Sequence, residues 1–162
     1  MQVGHADWND SLNPGDLKTE SVFTSALYCA STLALIELAD RIGETSFSKI
    51  WQKRYDTIKE LLNTVAWDGG WYQRLIKADG YVLGSKNTKE YGRIFVEPQS
   101  WAVFGQVAEG KRAVQTLDNT EKHLGCADGH KVMDRPFLIF DMEAIGSAGI
   151  FPGGLQENGS VF

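Results

Sequence analysis

Val22-Phe23-Thr24-Ser25-Ala26-Leu27-Tyr28-Cys29-Ala30-Ser31-Thr32-Leu33-Ala34-Leu35-Ile36-Glu37-Leu38-Ala39-Asp40-Arg41-Ile42-Gly43 is the stretch that decides the fold. Residues 21–42 read as nearly continuous helix, with Val22, Ala26, Cys29, Leu33 and Ile36 on one stripe. Phe23, Leu27, Ala30, Ala34, Leu35 and Leu38 fill the other faces, and a helix apolar almost all round is expected to be buried on several sides. Gly43 is placed to end it, since glycine takes the left-handed conformation that closes helices. Thr45 or Ser46 then caps a second helix over roughly 46–65. In it Phe47, Trp51, Tyr55, Ile58, Leu62 and Val65 recur three and four apart, while Lys49, Lys53, Arg54, Lys59 and Glu60 take the other side. A buried helix joined by a short turn to an amphipathic one predicts an inner and an outer layer.

Downstream the pattern changes and then returns. Trp67-Asp68-Gly69-Gly70 reads as a turn, and residues 71–76 and 81–83 flank Ala78-Asp79-Gly80 as a β-hairpin. Lys86 to Arg93 is a polar loop. A second apolar helix runs from about Pro98 to Val107 with Trp101, Val103 and Phe104 inside, broken by Glu109-Gly110. A more polar helix follows at 111–124, so an inner helix is again followed by an outer one. The Gly- and Pro-rich tail offers strands around 131–133 and 137–140. The expected class is all-α with a small β-hairpin insertion and two inner/outer helix pairs. The pairs repeat in pattern and not in residues, and they would leave an edge of inner helix facing water, which suggests part of something larger.

Bulk composition excludes several roles. At 162 residues and 43% hydrophobic content, the chain suits one ordinary domain with a real core. A net charge of −5 with scattered Lys and Arg provides no basic face for nucleic acid. Cys29 and Cys126 stand far apart with no CxxC and no metal spacing, so no metal site is expected and Cys29 reads as a small core residue. No basic-then-apolar leader is evident, and no apolar run is expected to reach the ~20 residues that span a bilayer. Membrane association is therefore not expected, and a cytoplasmic location is.

The chemistry concentrates at His5-Ala6-Asp7-Trp8-Asn9-Asp10-Ser11-Leu12-Asn13, just ahead of Glu20-Ser21-Val22. Two carboxylates, an indole and two amides lie close together in an irregular segment. Such a loop can present an acid and a flat aromatic to a sugar ring. The same residues also suit a turn rich in Asp and Asn that caps a helix.

Taken in order, five segments resemble the catalytic domain of glycoside hydrolase family 94, the inverting phosphorylases of cellobiose, cellodextrins, cellobionic acid, chitobiose and related β-linked glucosides. They are Gly4 to Asn13, Glu20-Ser21-Val22, Ala66-Trp67-Asp68-Gly69-Gly70-Trp71-Tyr72, Pro98-Gln99-Ser100-Trp101-Ala102-Val103 and Pro152-Gly153-Gly154-Leu155-Gln156-Glu157-Asn158-Gly159. The resemblance implies part of an (α/α)6 barrel, with the site where loops leave the inner helices. It also implies a segment of a longer enzyme, commonly a homodimer, of which this chain supplies about two of six helix pairs.

What the resemblance implies chemically is phosphorolysis of a β-linked disaccharide or oligosaccharide to an α-sugar 1-phosphate, with inorganic phosphate as co-substrate and no cofactor. Phosphate is already an anionic nucleophile, so one protonated carboxyl suffices to protonate the departing oxygen. Asp10 maps to that acid. To donate near neutral pH it must hold its proton there, which burial or a nearby anion favours. Trp8 maps to the aromatic beside the sugar, Asn9 to a hydroxyl contact, and Glu157 to the acceptor sugar. Asp7 could hydrogen-bond a sugar hydroxyl or instead cap or brace the loop, His5 could brace it as well, and Trp8 could alternatively plug the core. Gln99 and Trp101 begin an inner helix near the mouth, with packing the simpler role for Trp101 and for Trp51, Trp67 and Trp71. The family reads Glu-Asn-Gly-Gly where this chain has Ser160 in place of the second glycine, and its phosphate-holding groups are expected outside residues 1–162. Two other readings stay open: a non-catalytic remnant that binds sugar or packs against other chains, and a hydrolase on the same toroid.

Overall fold

The computed structural model describes residues 7–14 and 18–161, so His5 and its expected bracing role lie outside the described residues. Helix α1 runs Val22–Arg41 and is opened by Ser21, whose hydroxyl accepts the Thr24 N–H at 3.1 Å. Gly43 follows the helix at φ +80°, the left-handed position for which it was expected. The reversal is tight. Gly43 N–H donates to Asp40 O (3.2 Å) and Glu44 N–H to Ala39 O (2.8 Å), so α2 (Thr45–Leu61) begins as soon as the chain has turned. Glu44 therefore occupies the cap position without a side-chain bond, and neither Thr45 nor Ser46 caps as expected. A π-helical turn, Leu62–Ala66, ends this arm.

Helix α3 spans Val96–Phe104, two residues earlier than expected at its start, with Pro98 in the first turn where no intrahelical N–H is lost. Helix α4 spans Gly110–Leu124. Helix α1 packs against both α2 and α3, and α4 packs on α3, which gives the two inner/outer pairs. Burial of α1 is less complete than its sequence suggests. Ala26 and Cys29 are fully buried, but Leu35 and Leu38 are exposed because α2 and α3 cover only two sides. At 20 residues α1 is nonetheless long and apolar enough, by length and composition, to cross a bilayer, which corrects the expectation that no run reaches that length. In this fold its buried stripe faces α2 and α3.

The hairpin forms, shorter than expected, as β2 (Leu75–Ile76) and β3 (Val82–Leu83), with Leu75 opposite Leu83. A third strand, β1 (Glu20–Ser21), pairs antiparallel with β2 and ties the entrance of α1 to the insertion. Strand β4 (Ile94–Phe95) pairs with β7 (Met133–Asp134), and a small hairpin joins β5 (Gly125–Cys126) to β6 (Gly129–His130). The strand expected at 137–140 is absent: Phe137 is buried, whereas Leu138, Ile139 and Phe140 are exposed in irregular backbone. Two main core clusters result. One joins Val22, Ala26, Cys29, Tyr55, Leu62 and Ala102 between the helices. The other collects Leu12, Leu75, Leu83, Phe95, Met133 and Phe137 beneath the loops. That second cluster supports the 7–12 turn.

Candidate functional site

Residues 7–12 form a compact turn over the N-terminal ends of α1 and α3. Its anchor is a buried ion pair. Arg74, on the residue before β2, donates from Nη2 to Asp7 Oδ1 (2.6 Å) and from Nη1 to Asp7 Oδ2 (3.0 Å), and both side chains are about fully buried. Ser21, which caps α1, also donates its hydroxyl to Asp7 Oδ2 at 2.7 Å, and the Asn9 N–H reaches Asp7 Oδ1 at 3.2 Å. Burial alone would raise the Asp7 carboxyl. The Arg74 guanidinium and these hydrogen bonds outweigh it and hold the group below its ordinary 3.8. The guanidinium is flanked by the Phe23 and Phe95 rings at 5.6 and 5.8 Å. Asp7 thus braces the loop, the role set beside sugar contact in the sequence.

Within the turn, Asn9 is buried and its Oδ1 accepts from Ser11 Oγ (2.7 Å) and from the Leu12 N–H (2.9 Å). This is an Asx-type turn, and it occupies the oxygen that a sugar hydroxyl would otherwise meet. Asp10 is exposed at the crown of the same turn. Leu12 plugs the second core cluster, and the Ser11 carbonyl and Asn13 side chain bind Ser147 at 3.2 Å each, clamping the turn from the C-terminal side.

Trp8 is not a core plug. It is 38% exposed, and its indole N–H donates to Glu97 Oε1 at 2.7 Å. Glu97 sits in the first turn of α3 and is only 8% exposed. Burial pushes its carboxyl above the ordinary 4.5, with Arg74 and the indole N–H pulling the other way. Sequence reasoning missed both Arg74 and Glu97. The available signal was a formal charge set among apolar neighbours, Arg74 before Leu75-Ile76 and Glu97 after Phe95-Val96.

Glu157 lies on a different turn. It is partly buried, while its neighbour Asn158 is wholly buried and fixes the local backbone, accepting the Phe137 N–H (2.7 Å) and donating to the Phe137 (3.0 Å) and Phe151 (2.6 Å) carbonyls. Phe137 belongs to the cluster that holds Leu12, so the two turns share a floor. Gln99 acts as a clamp. Its amide accepts the Tyr72 N–H and donates to the Tyr72 and Phe95 carbonyls at 2.8, 2.8 and 3.0 Å. Trp71 is buried in packing, and Trp101 packs edge-on to Phe23. Among the described residues no group of three or more His, Cys, Asp or Glu side chains could hold a metal ion.

An exposed carboxyl, a half-exposed indole and a braced backbone make a site able to stack a pyranose and offer it a proton. Comparison with known proteins identifies the family. The family model for the glycosyl hydrolase 94 superfamily, catalytic domain, matches residues 1–162. The chain is 34% identical over 159 residues to a solabiose phosphorylase of Paenibacillus borealis, covering 96% of this chain and 20% of that protein. It is 30% identical over 162 residues to a 3-O-beta-D-glucopyranosyl-beta-D-glucuronide phosphorylase of the same organism, covering 99% and 21%. A cellobionic acid phosphorylase of Neurospora crassa is 29% identical over 163 residues, with 99% and 20% covered. The chain thus spans about a fifth of the length of these curated relatives. With the match running from end to end of this sequence, the chain belongs to the glycosyl hydrolase 94 superfamily, within its catalytic domain.

Proposed function

We propose that this segment serves an enzyme that cleaves a β-linked glucoside by inverting phosphorolysis, releasing an α-sugar 1-phosphate. The observation that carries the reading is the pairing of exposed Asp10 with half-exposed Trp8 on a turn whose backbone is fixed by the buried Asp7–Arg74 pair. Phosphorylase relatives that act on different disaccharides support the reaction class. Trp8 would stack on the C–H face of the sugar whose bond is cut, and Asp10 would pass its proton to the glycosidic oxygen as the bond breaks. Phosphate would attack the anomeric carbon from the opposite face as the glycosidic bond breaks. Glu157, on the neighbouring turn, would meet the acceptor sugar. Asn9 would act mainly by shaping the turn. No cofactor is invoked. The free thiols of buried Cys29 and exposed Cys126 support a reducing compartment, the cytoplasm.

The test is turnover of β-linked glucose disaccharides by the enzyme that carries this segment, with and without inorganic phosphate. Sugar 1-phosphate should form only with phosphate, and Asp10→Asn should lower its release by about 10²–10⁴-fold while the circular dichroism spectrum is unchanged. Cleavage without phosphate would point to hydrolysis, and full activity of Asp10→Asn would remove the acid assignment.

A further inference from the structure

Glu97 reaches across 89 positions of sequence to hold Trp8. It does so from a buried group of three ionisable side chains, in which two carboxyls face one guanidinium. Asp7 takes both Arg74 Nη groups, which leaves Glu97 without an ion pair of its own among the described residues. We propose that Glu97 is a positioning residue of the sugar site, its carboxyl oxygen fixing the Trp8 indole so that one ring face is presented beside Asp10. The inference rests on the sugar-binding reading above and adds to it the residue that sets the stacking surface.

An indole has a single N–H. Once that group is anchored, rotation about χ2 would break the bond, so one ring setting is selected before any ligand arrives. Burial raises the Glu97 carboxyl while Arg74 pulls the other way, and the guanidinium itself is taken by Asp7, so the indole N–H is the side-chain partner that Glu97 keeps. Glu97 Oε2 is buried with no hydrogen-bond partner among the described residues, so the group acts through Trp8 and not on the ligand itself.

The test combines three variants in the protein labelled with ¹⁵N-tryptophan. The Trp8 indole resonance is assigned by its loss in Trp8→Phe, and affinity is read by titration with cellobiose and laminaribiose. Glu97→Gln keeps an acceptor oxygen and should leave the Trp8 N–H shift hydrogen-bonded and the affinity nearly intact. Glu97→Met fills the space without oxygen, and should move the resonance to a solvent-like position and weaken binding by about three- to tenfold. Trp8→Phe should weaken binding at least as much, and the double variant no further, since both changes remove the same device. An unmoved resonance in Glu97→Met, or multiplicative losses in the double variant, would overturn the proposal. If the unsubstituted protein binds neither sugar, the reading of this site as one for β-1,4- or β-1,3-linked glucose disaccharides fails. The Trp8 resonance, which needs no sugar, then still confirms or removes the anchor.

Discussion

Asp7 illustrates how a residue in a catalytic-looking motif can serve the backbone. Its carboxylate satisfies Arg74, Ser21 and the Asn9 amide at once, from a position with almost no solvent contact. Removing one partner of such a pair strands the other charge. Asp7→Asn should therefore cost about 3–5 kcal/mol at neutral pH, measured by urea unfolding. The pH dependence has a defined sign. The folded-state value lies below the unfolded 3.8, so the stabilisation is fully present above about pH 4–5 and is lost as pH falls through the folded value. The stability gap between the protein and Asp7→Asn should accordingly close below pH 3.8, and a gap constant from pH 7 to pH 3 would contradict the pairing.

At the scale of elements, the insertion and α3 are fastened together by side chains acting on backbone. Tyr72 bridges Trp67, and the wholly buried Gln99 satisfies its peptide groups, accepting its N–H and donating to its carbonyl. Gln99→Leu would bury those two peptide groups unpaired. A loss of about 2–4 kcal/mol is expected, with faster amide exchange at Tyr72 than at Ala26 in α1. Gly84, after β3, belongs to the same junction. It takes φ +83°, and a Cβ there would lie 2.6 Å from the Arg74 N atom. The close approach lets the Arg74 N–H pair with Leu83 O at 2.8 Å, which holds the start of the arginine that braces the turn.

For the molecule as a whole, the helical layer is open along one side. Leu35 (38% exposed), Leu38 (55%) and Ile42 (66%) of α1 and its cap adjoin Phe47 (40%) of α2, forming an apolar face larger than scattered surface residues make. Leu38→Lys should leave unfolding stability within about 0.5 kcal/mol, because the side chain is mostly in water and Lys suits a helix C-terminus. The same change should reduce binding of an apolar fluorescent dye. Unchanged dye binding would show that this face is not the accessible one.

The sequence by itself determined the helices, their pairing and the small hairpin, because apolar spacing along 22–41 and 45–61 is a local property that burial converts directly into layers. It also put Asp10 and Trp8 on one loop, since residue chemistry is written position by position. The tertiary structure alone decided which of those residues face outward. Asn9 turned inward because two hydrogen-bond donors of its own turn claimed its oxygen, and Asp7 because Arg74 lies against it from 67 positions away. Arg74 and Glu97 were legible only once folded, for a buried charge is explained by its partner, and these partners are brought together by packing and not by spacing in the chain.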